Sequence, residues 1–257
     1  MTEASNPSAA ALRAFAIMEI VARSERPVAL SEIVEQSGLP APTAFRILAL
    51  LETAGLVQRE PTGKSYVVGH RLARFGLDLM TNNSVRAERR VILRRLVDEI
   101  GETCNLGMFG GDEIIYIDRI ETDWSLKADL KPGSRVPLHC TSSGKLFLSQ
   151  MPRAKRRRTL ASLSFKRYTD NTVIDIASIE AQLEHIAVTG VGVNNEEFQA
   201  GVIGVAVPVT DSKGRMIASV ALQAPVARLP LARALEFVPN LQRAARDMAL
   251  TFETGKD

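Results

Sequence analysis

The pattern of apolar residues changes character midway along this chain, from helical spacing to pairs of short alternating runs. Ala14, Ile17, Met18 and Val21 fall at i, i+3, i+4 and i+7, the spacing of one helix face, and Arg26-Pro27 is expected to end that helix. The stretch LSEIVEQSGLPAPTAFRILALLETAGL, Leu30 to Leu56, predicts two short helices with a tight turn between them. Ser31 is the expected cap of the first, Ile33 and Val34 its buried edge, and Gly38 its end. Leu39-Pro40 disfavours further helix, and Pro42 suits the first position of the next because its missing N–H would have had no partner there. Ala44, Ile47, Leu48 and Leu51 then give one apolar stripe, with Thr43, Arg46 and Ala49 turned away. Such a pattern fits an ordinary helical hairpin, or a helix-turn-helix whose second helix enters a DNA major groove with its N-terminal residues leading. Val57-Gln58-Arg59, Pro61-Thr62-Gly63-Lys64 and Tyr66-Val67-Val68 follow as strand, polar turn and strand. A hairpin in this place is a wing, which favours the DNA-binding reading and sets Arg59 and Lys64 beside its tip, where phosphates would pass.

Arg71 to Met80 carries Leu72, Phe75 and Leu79 on one side, and Thr81-Asn82-Asn83-Ser84 interrupts it. This stretch fits a connection between domains whose apolar side meets another subunit, or equally a helix packed on its own domain. Leu93, Leu96, Val97 and Ile100 mark a helix ending at Gly101. Beyond it, Asn105–Phe109 and Glu113–Arg119 flank Gly110-Gly111-Asp112 as a hairpin, and Leu126–Leu130 reads as a further strand. Thr141–Gln150, Arg153–Leu163 and Ile174–Val188 read as helices. Ile203–Thr210 and Arg215–Gln223 form a second hairpin, before a last helix with Leu241, Ala244, Ala245 and Met248 on one face. Paired strands with helices between them predict an α+β domain on an antiparallel sheet.

Composition narrows the function classes. With 257 residues, 46% apolar and 24% charged, the chain has room for two folded domains. No apolar run approaches the ~20 residues that span a bilayer, and no basic segment precedes an apolar core at the N-terminus, so a cytoplasmic protein is expected. Cys104 and Cys140 lie too far apart for a zinc ligand pair and are expected as buried thiols, and His70, His139 and His185 do not cluster, so neither metal nor cofactor is expected. Residues 1–80 hold eight Lys or Arg against eight Asp or Glu, so DNA affinity has to come from where the cations sit.

Candidate chemistry is thin. GSRVPLHCTSSGK, Gly133 to Lys145, ends like a phosphate loop, but His139 and Leu146 stand where that loop needs Gly and Ser or Thr. His139 and Cys140 are neighbours, which on an extended chain point to opposite faces, and no G-x-S-x-G or S-x-x-K order occurs. Glu196-Glu197 reads as a solvated turn, and RAKRRR, Arg153 to Arg158, as the exposed face of a short helix.

Three blocks taken together resemble the IclR family of bacterial transcriptional regulators over nearly the whole chain: LSEIVEQSGLPAPTAFRILALLETAGLVQRE, GSRVPLHCTSSGKLFL and GVGVNNEEFQAGVIGVAVPVTDSKGRMIASVAL. The resemblance implies a winged helix-turn-helix over 9–69, a linker helix over 70–84, and a GAF/PAS-like effector-binding domain over 85–257. It also implies a homodimer or tetramer on a palindromic double-stranded operator, with a small organic acid as effector. Ala41-Pro42 replaces the family's usual basic or polar pair, which leaves Thr43, Phe45 and Arg46, with Arg59 and Lys64 in the wing, as the expected DNA contacts. Carried over by position, the effector pocket falls on Gly144, Asn194, Gly204, Ala221 and Gln223. Small residues at 204, 206 and 221 are expected to leave a roomy apolar cavity, with amides of Thr141, Ser142, Ser143 and Gly144 holding the carboxylate of an aromatic or medium-chain acid. The rival reading is a small-molecule hydrolase or transferase whose N-terminal domain serves assembly.

Overall fold

A computed structural model of the chain describes residues 7–24, 26–61, 63–81, 83–122 and 130–253. It divides into two compact units, Met1–Leu79 and Met80–Asp257.

The first unit runs α1 (Pro7–Arg23), β1 (Val28–Ala29), α2 (Leu30–Ser37), α3 (Ala41–Thr53), β2 (Val57–Arg59) and β3 (Ser65–Val68), with α4 (His70–Thr81) crossing its end. Ile17, Val21, Ile33, Ala44, Leu48, Leu51, Val57 and Tyr66 form one core, so the apolar stripes of α1, α2 and α3 meet as their spacing requires. Ser31 is not the cap of α2. That position falls to Ala29, whose N–H is accepted by Glu32 Oε2 at 3.1 Å, and Glu32 is itself gripped by Arg26 at 2.6 and 3.0 Å. A carboxylate three residues on thus does at the helix start what a hydroxyl was expected to do. Gly38 does end α2, with φ 67° and its N–H on Val34 O, a left-handed turn that glycine takes without penalty. Pro42 lies one residue inside α3 and Pro40 caps it. The strand order β1-β3-β2 adds a third strand that the sequence pattern missed, because two residues are too few to show alternation. Leu72 on α4 is half-buried, while Phe75 and Leu79 are 53% and 44% exposed.

The second unit continues with α5 (Asn83–Ile100), β4 (Thr103–Phe109), β5 (Glu113–Ile120), β6 (Arg135–Pro137), α6 (Ser142–Gln150), α7 (Arg153–Ser162), α8 (Ile176–Thr189), β7 (Gly192–Asn195), β8 (Val202–Thr210), β9 (Met216–Pro225), α9 (Leu231–Leu235) and α10 (Val238–Glu253). Asn83 and Ser84 therefore open α5 and do not prolong the interruption expected before it. The strand expected at Leu126–Leu130 falls almost wholly on 123–129, outside the described residues. Among the described residues the strands join in the order β6-β5-β4-β9-β8-β7, every pair antiparallel. This is the expected α+β arrangement.

Alternation along β8 and β9 assigns the two faces. Ala206 and Ala221 share a core with Leu146, Phe147, Leu160, Ile179 and Leu183 from α6, α7 and α8. The other face packs against α10 and α5, whose Leu241, Ala244, Ala245, Met248, Leu93 and Leu96 are buried. Cys104 and Cys140 are buried free thiols, and burial pushes Cys104 above the range in which a thiol ionises.

Candidate nucleic-acid interface and effector site

On α3, Ala44, Leu48 and Leu51 turn inward and Phe45 and Arg46 outward, with Thr43 half-buried between them. Arg46 is exposed one turn from the helix start, the position from which a recognition helix reaches base edges. Arg59 has another commitment. Its Nε donates to Glu52 Oε2 at 3.0 Å, and its guanidinium lies 5.1 Å from the Tyr66 ring centre and 5.8 Å from that of Phe45. Both rings are within the range of a cation–π contact. Arg59 thus fastens the wing to α3 and holds Phe45, expected as a DNA contact, under its own side chain. Lys64 is exposed in the wing turn.

In the second unit, the structure brings Ser142, Asn194 and Gly204 together and closes the space expected around them. Asn194 pairs with Gly204, and Gly204 with Gln223, across neighbouring strands. A Cβ at 204 would lie 3.1 Å from Ser142 Oγ and 3.7 Å from Asn194 Cβ. At the other side of α6, a Cβ at 144 would overlap the Leu138 carbonyl oxygen. Small residues here admit a helix and not a cavity, which corrects the expectation of a roomy pocket over 204 and 221: Ala221 is 3% exposed, inside the core.

The polar groups at the start of α6 already have partners. Thr141 Oγ1 accepts from Gly144 N at 3.1 Å, and Ser143 Oγ accepts from Ser219 Oγ at 2.9 Å. Asn194 Oδ1 accepts from Glu197 N at 2.8 Å, which closes the turn after β7. Lys145 Nζ meets Glu197 Oε1 at 2.5 Å and Gln182 Oε1 at 3.0 Å, with both charged side chains almost fully buried. Glu197 is therefore not in a solvated turn, since a lysine 52 positions away reaches it. Arg156 departs likewise from the exposed basic run: it is buried and bonded to Glu180 at 2.8 Å. His139 and Cys140 lie in a turn and not on an extended strand, and His139 Nε2 is 3.0 Å from Lys166 O.

Open space lies nearer the end of β9. A cavity of about 260 Å³ is bounded by Thr103, Arg119, Gln199, Val202, Gln223 and Arg228, among others. Gln223 alone of the expected effector residues lines it. Arg119, which sequence reasoning missed, contributes its cation: its side chain is 1% exposed, and its Nη1 donates to Asn105 Oδ1 at 2.7 Å and Gln223 Oε1 at 3.0 Å. The signal was present in alternation, because Arg119 pairs with Asn105 and Asn105 with Ala221, so all three point to one face. Among the described residues no group of three or more His, Cys, Asp or Glu is arranged to hold a metal ion, and no helix is long and apolar enough to cross a membrane.

A helix-turn-helix with a wing, followed by an antiparallel-sheet domain with a partly polar cavity, defines a DNA-binding regulator with a sensor domain. The family comparisons agree. Residues 10–61 match the IclR helix-turn-helix domain and residues 78–250 match the C-terminal domain of bacterial transcriptional regulators of the IclR type. The chain belongs to the IclR family of transcriptional regulators, and its role is regulatory and not enzymatic. It is 42% identical over 245 residues to a Cupriavidus necator protein named "Probable transcriptional regulator SauR", covering 95% of this chain and 97% of that one. The crystal structure of Thermotoga maritima IclR superposes with a TM-score of 0.63 at 27% identity, over 97% of this chain and all of that one. An IclR homologue from Microbacterium hydrocarbonoxydans, crystallised with 4-hydroxybenzoate, shares the fold with a TM-score of 0.61 at 21% identity, over 96% and 100% of the two chains.

Proposed function

We propose that this protein works in the cytoplasm as a homodimer or tetramer that binds a palindromic operator through α3 and the wing, and that a small organic acid held in the second unit modulates that binding. The carrying observation is the outward face of α3, where Arg46 is exposed near the helix start while the inward residues are buried. Thr43 and Arg46 read base edges, Lys64 meets phosphate, and Phe45 and Arg59 brace the wing. A twofold assembly doubles these contacts on a palindrome. An aromatic or medium-chain acid is the effector class, supported by the cavity with its apolar wall and polar end, and by the 4-hydroxybenzoate bound to a homologue of the same fold.

The test is a gel-shift series on duplexes from the regions flanking the protein's own gene, with single base substitutions. Arg46→Ala is expected to relax preference at one base pair of each half-site, a loss of ~1–3 kcal/mol of discrimination. Unchanged preference would refute α3 as the reading helix.

A further inference from the structure

We propose that Arg119, aimed by Asn105 and Gln223, is the group that receives the anionic end of the effector. This rests on the reading that the second unit binds an organic acid, and it assigns the residue that selects for the charge.

The argument starts from where the cation sits. A guanidinium 1% exposed on a sheet face is costly to keep charged unless acceptors surround it. Two of its acceptors are the neutral amide oxygens of Asn105 and Gln223, which fix its direction without cancelling its charge. A carboxylate, Glu121, accepts from Nε at 3.0 Å, with a side chain 30% exposed at the outer side. The other charges at the cavity wall are Arg228 and Glu102, which are bonded to each other. Gln223 both holds Arg119 and lines the cavity, so a molecule entering there meets the oriented guanidinium at one end. The wall also includes Val202, Pro225 and Val226, a surface for an apolar body. A volume of 260 Å³ is at the small end of ligand pockets, roughly 300–1,000 Å³, and suits a single-ring or short-chain acid. A planar guanidinium fork matches a carboxylate in a way that a lone amide or hydroxyl does not.

The competing place for the anion, the start of α6, is already satisfied from within. Thr141 takes the Gly144 amide, Ser219 bonds Ser143, and Ser142 packs against Gly204.

The test is calorimetry on the full chain with 4-hydroxybenzoate and hexanoate, each beside its neutral amide. Wild-type protein is expected to bind at least one acid tenfold or more tighter than its amide. Arg119→Met is expected to abolish that preference. Gln223→Glu, nearly isosteric and placing a carboxylate beside Arg119, is expected to do the same and covers the case in which Arg119→Met does not fold. Ser142→Ala with Ser143→Ala is expected to keep the preference. Retention of the acid preference in a folded Arg119→Met or in Gln223→Glu would overturn Arg119 as receptor while leaving the effector reading intact, as would its loss in the serine variant alone. Failure of the wild-type protein to bind any of the acids would overturn both.

Discussion

Single residues in this protein are decided by what reaches them from far along the chain. His139 is a case with a measurable consequence. Burial lowers its pKa from the ordinary 6.5, against the opposing pull of the Lys166 carbonyl and Glu197. The folded state therefore binds its proton less readily than the unfolded chain, and between the lowered value and about 6.5 the unfolded state carries more protons. Stability contributed by neutral His139 is present above about pH 6.5 and is lost as pH falls through that window. Urea midpoints measured from pH 7 to 5 are expected to drop less steeply for His139→Gln than for the wild type. Parallel curves would show that His139 does not contribute. Lys145 follows similar logic: desolvation lowers its pKa even though Glu197 raises it. Neither the burial of Glu197 nor the orientation of Arg119 could be read from local sequence, because Lys145 and Gln223 lie 52 and 104 positions away.

At the scale of elements, regular spacing was legible and short pairing was not. The stripes of α1, α3 and α10 and the two long hairpins follow from repeats of i, i+3, i+4 and from alternation. β7, with sequence GVNN, has no apolar alternation to betray it and is strand because β8 pairs with it residue by residue. The small residues at 204 and 221 were legible as small, but whether that space would hold ligand or helix depended on α6. The wing gives a prediction of this scale. Since Arg59 bridges Glu52, Tyr66 and Phe45, its loss is expected to loosen the hairpin and lower affinity with little change in salt dependence. Lys64→Ala is expected to reduce the slope of log affinity against log salt by about one unit, the signature of one lost phosphate contact. Anisotropy titrations at several salt concentrations separate the two effects; a one-unit loss for Arg59→Ala and none for Lys64→Ala would reverse the assignment.

At the scale of the whole molecule, the chain has two units with separate cores, one built to touch DNA and one holding the cavity. A ligand in the second can affect the first only if it binds two states of the molecule unequally. Exposed Phe75 and Leu79 on α4 offer an apolar surface for a second copy, and the assembly we propose places them at that contact. Phe75→Glu is expected to shift sedimentation toward monomer at micromolar concentration and to weaken operator binding with it, and an unchanged assembly would remove α4 from the interface.

The most direct test of a ligand-modulated operator-binding protein is one titration. Fluorescence anisotropy of a labelled duplex from the flanking DNA is followed at fixed salt, with and without whichever acid calorimetry shows to bind. The expected result is binding at least a hundredfold tighter than to a scrambled duplex, changed severalfold by the acid and unchanged by its amide. Equal affinity for the scrambled duplex, or operator affinity indifferent to a bound acid, would contradict the account.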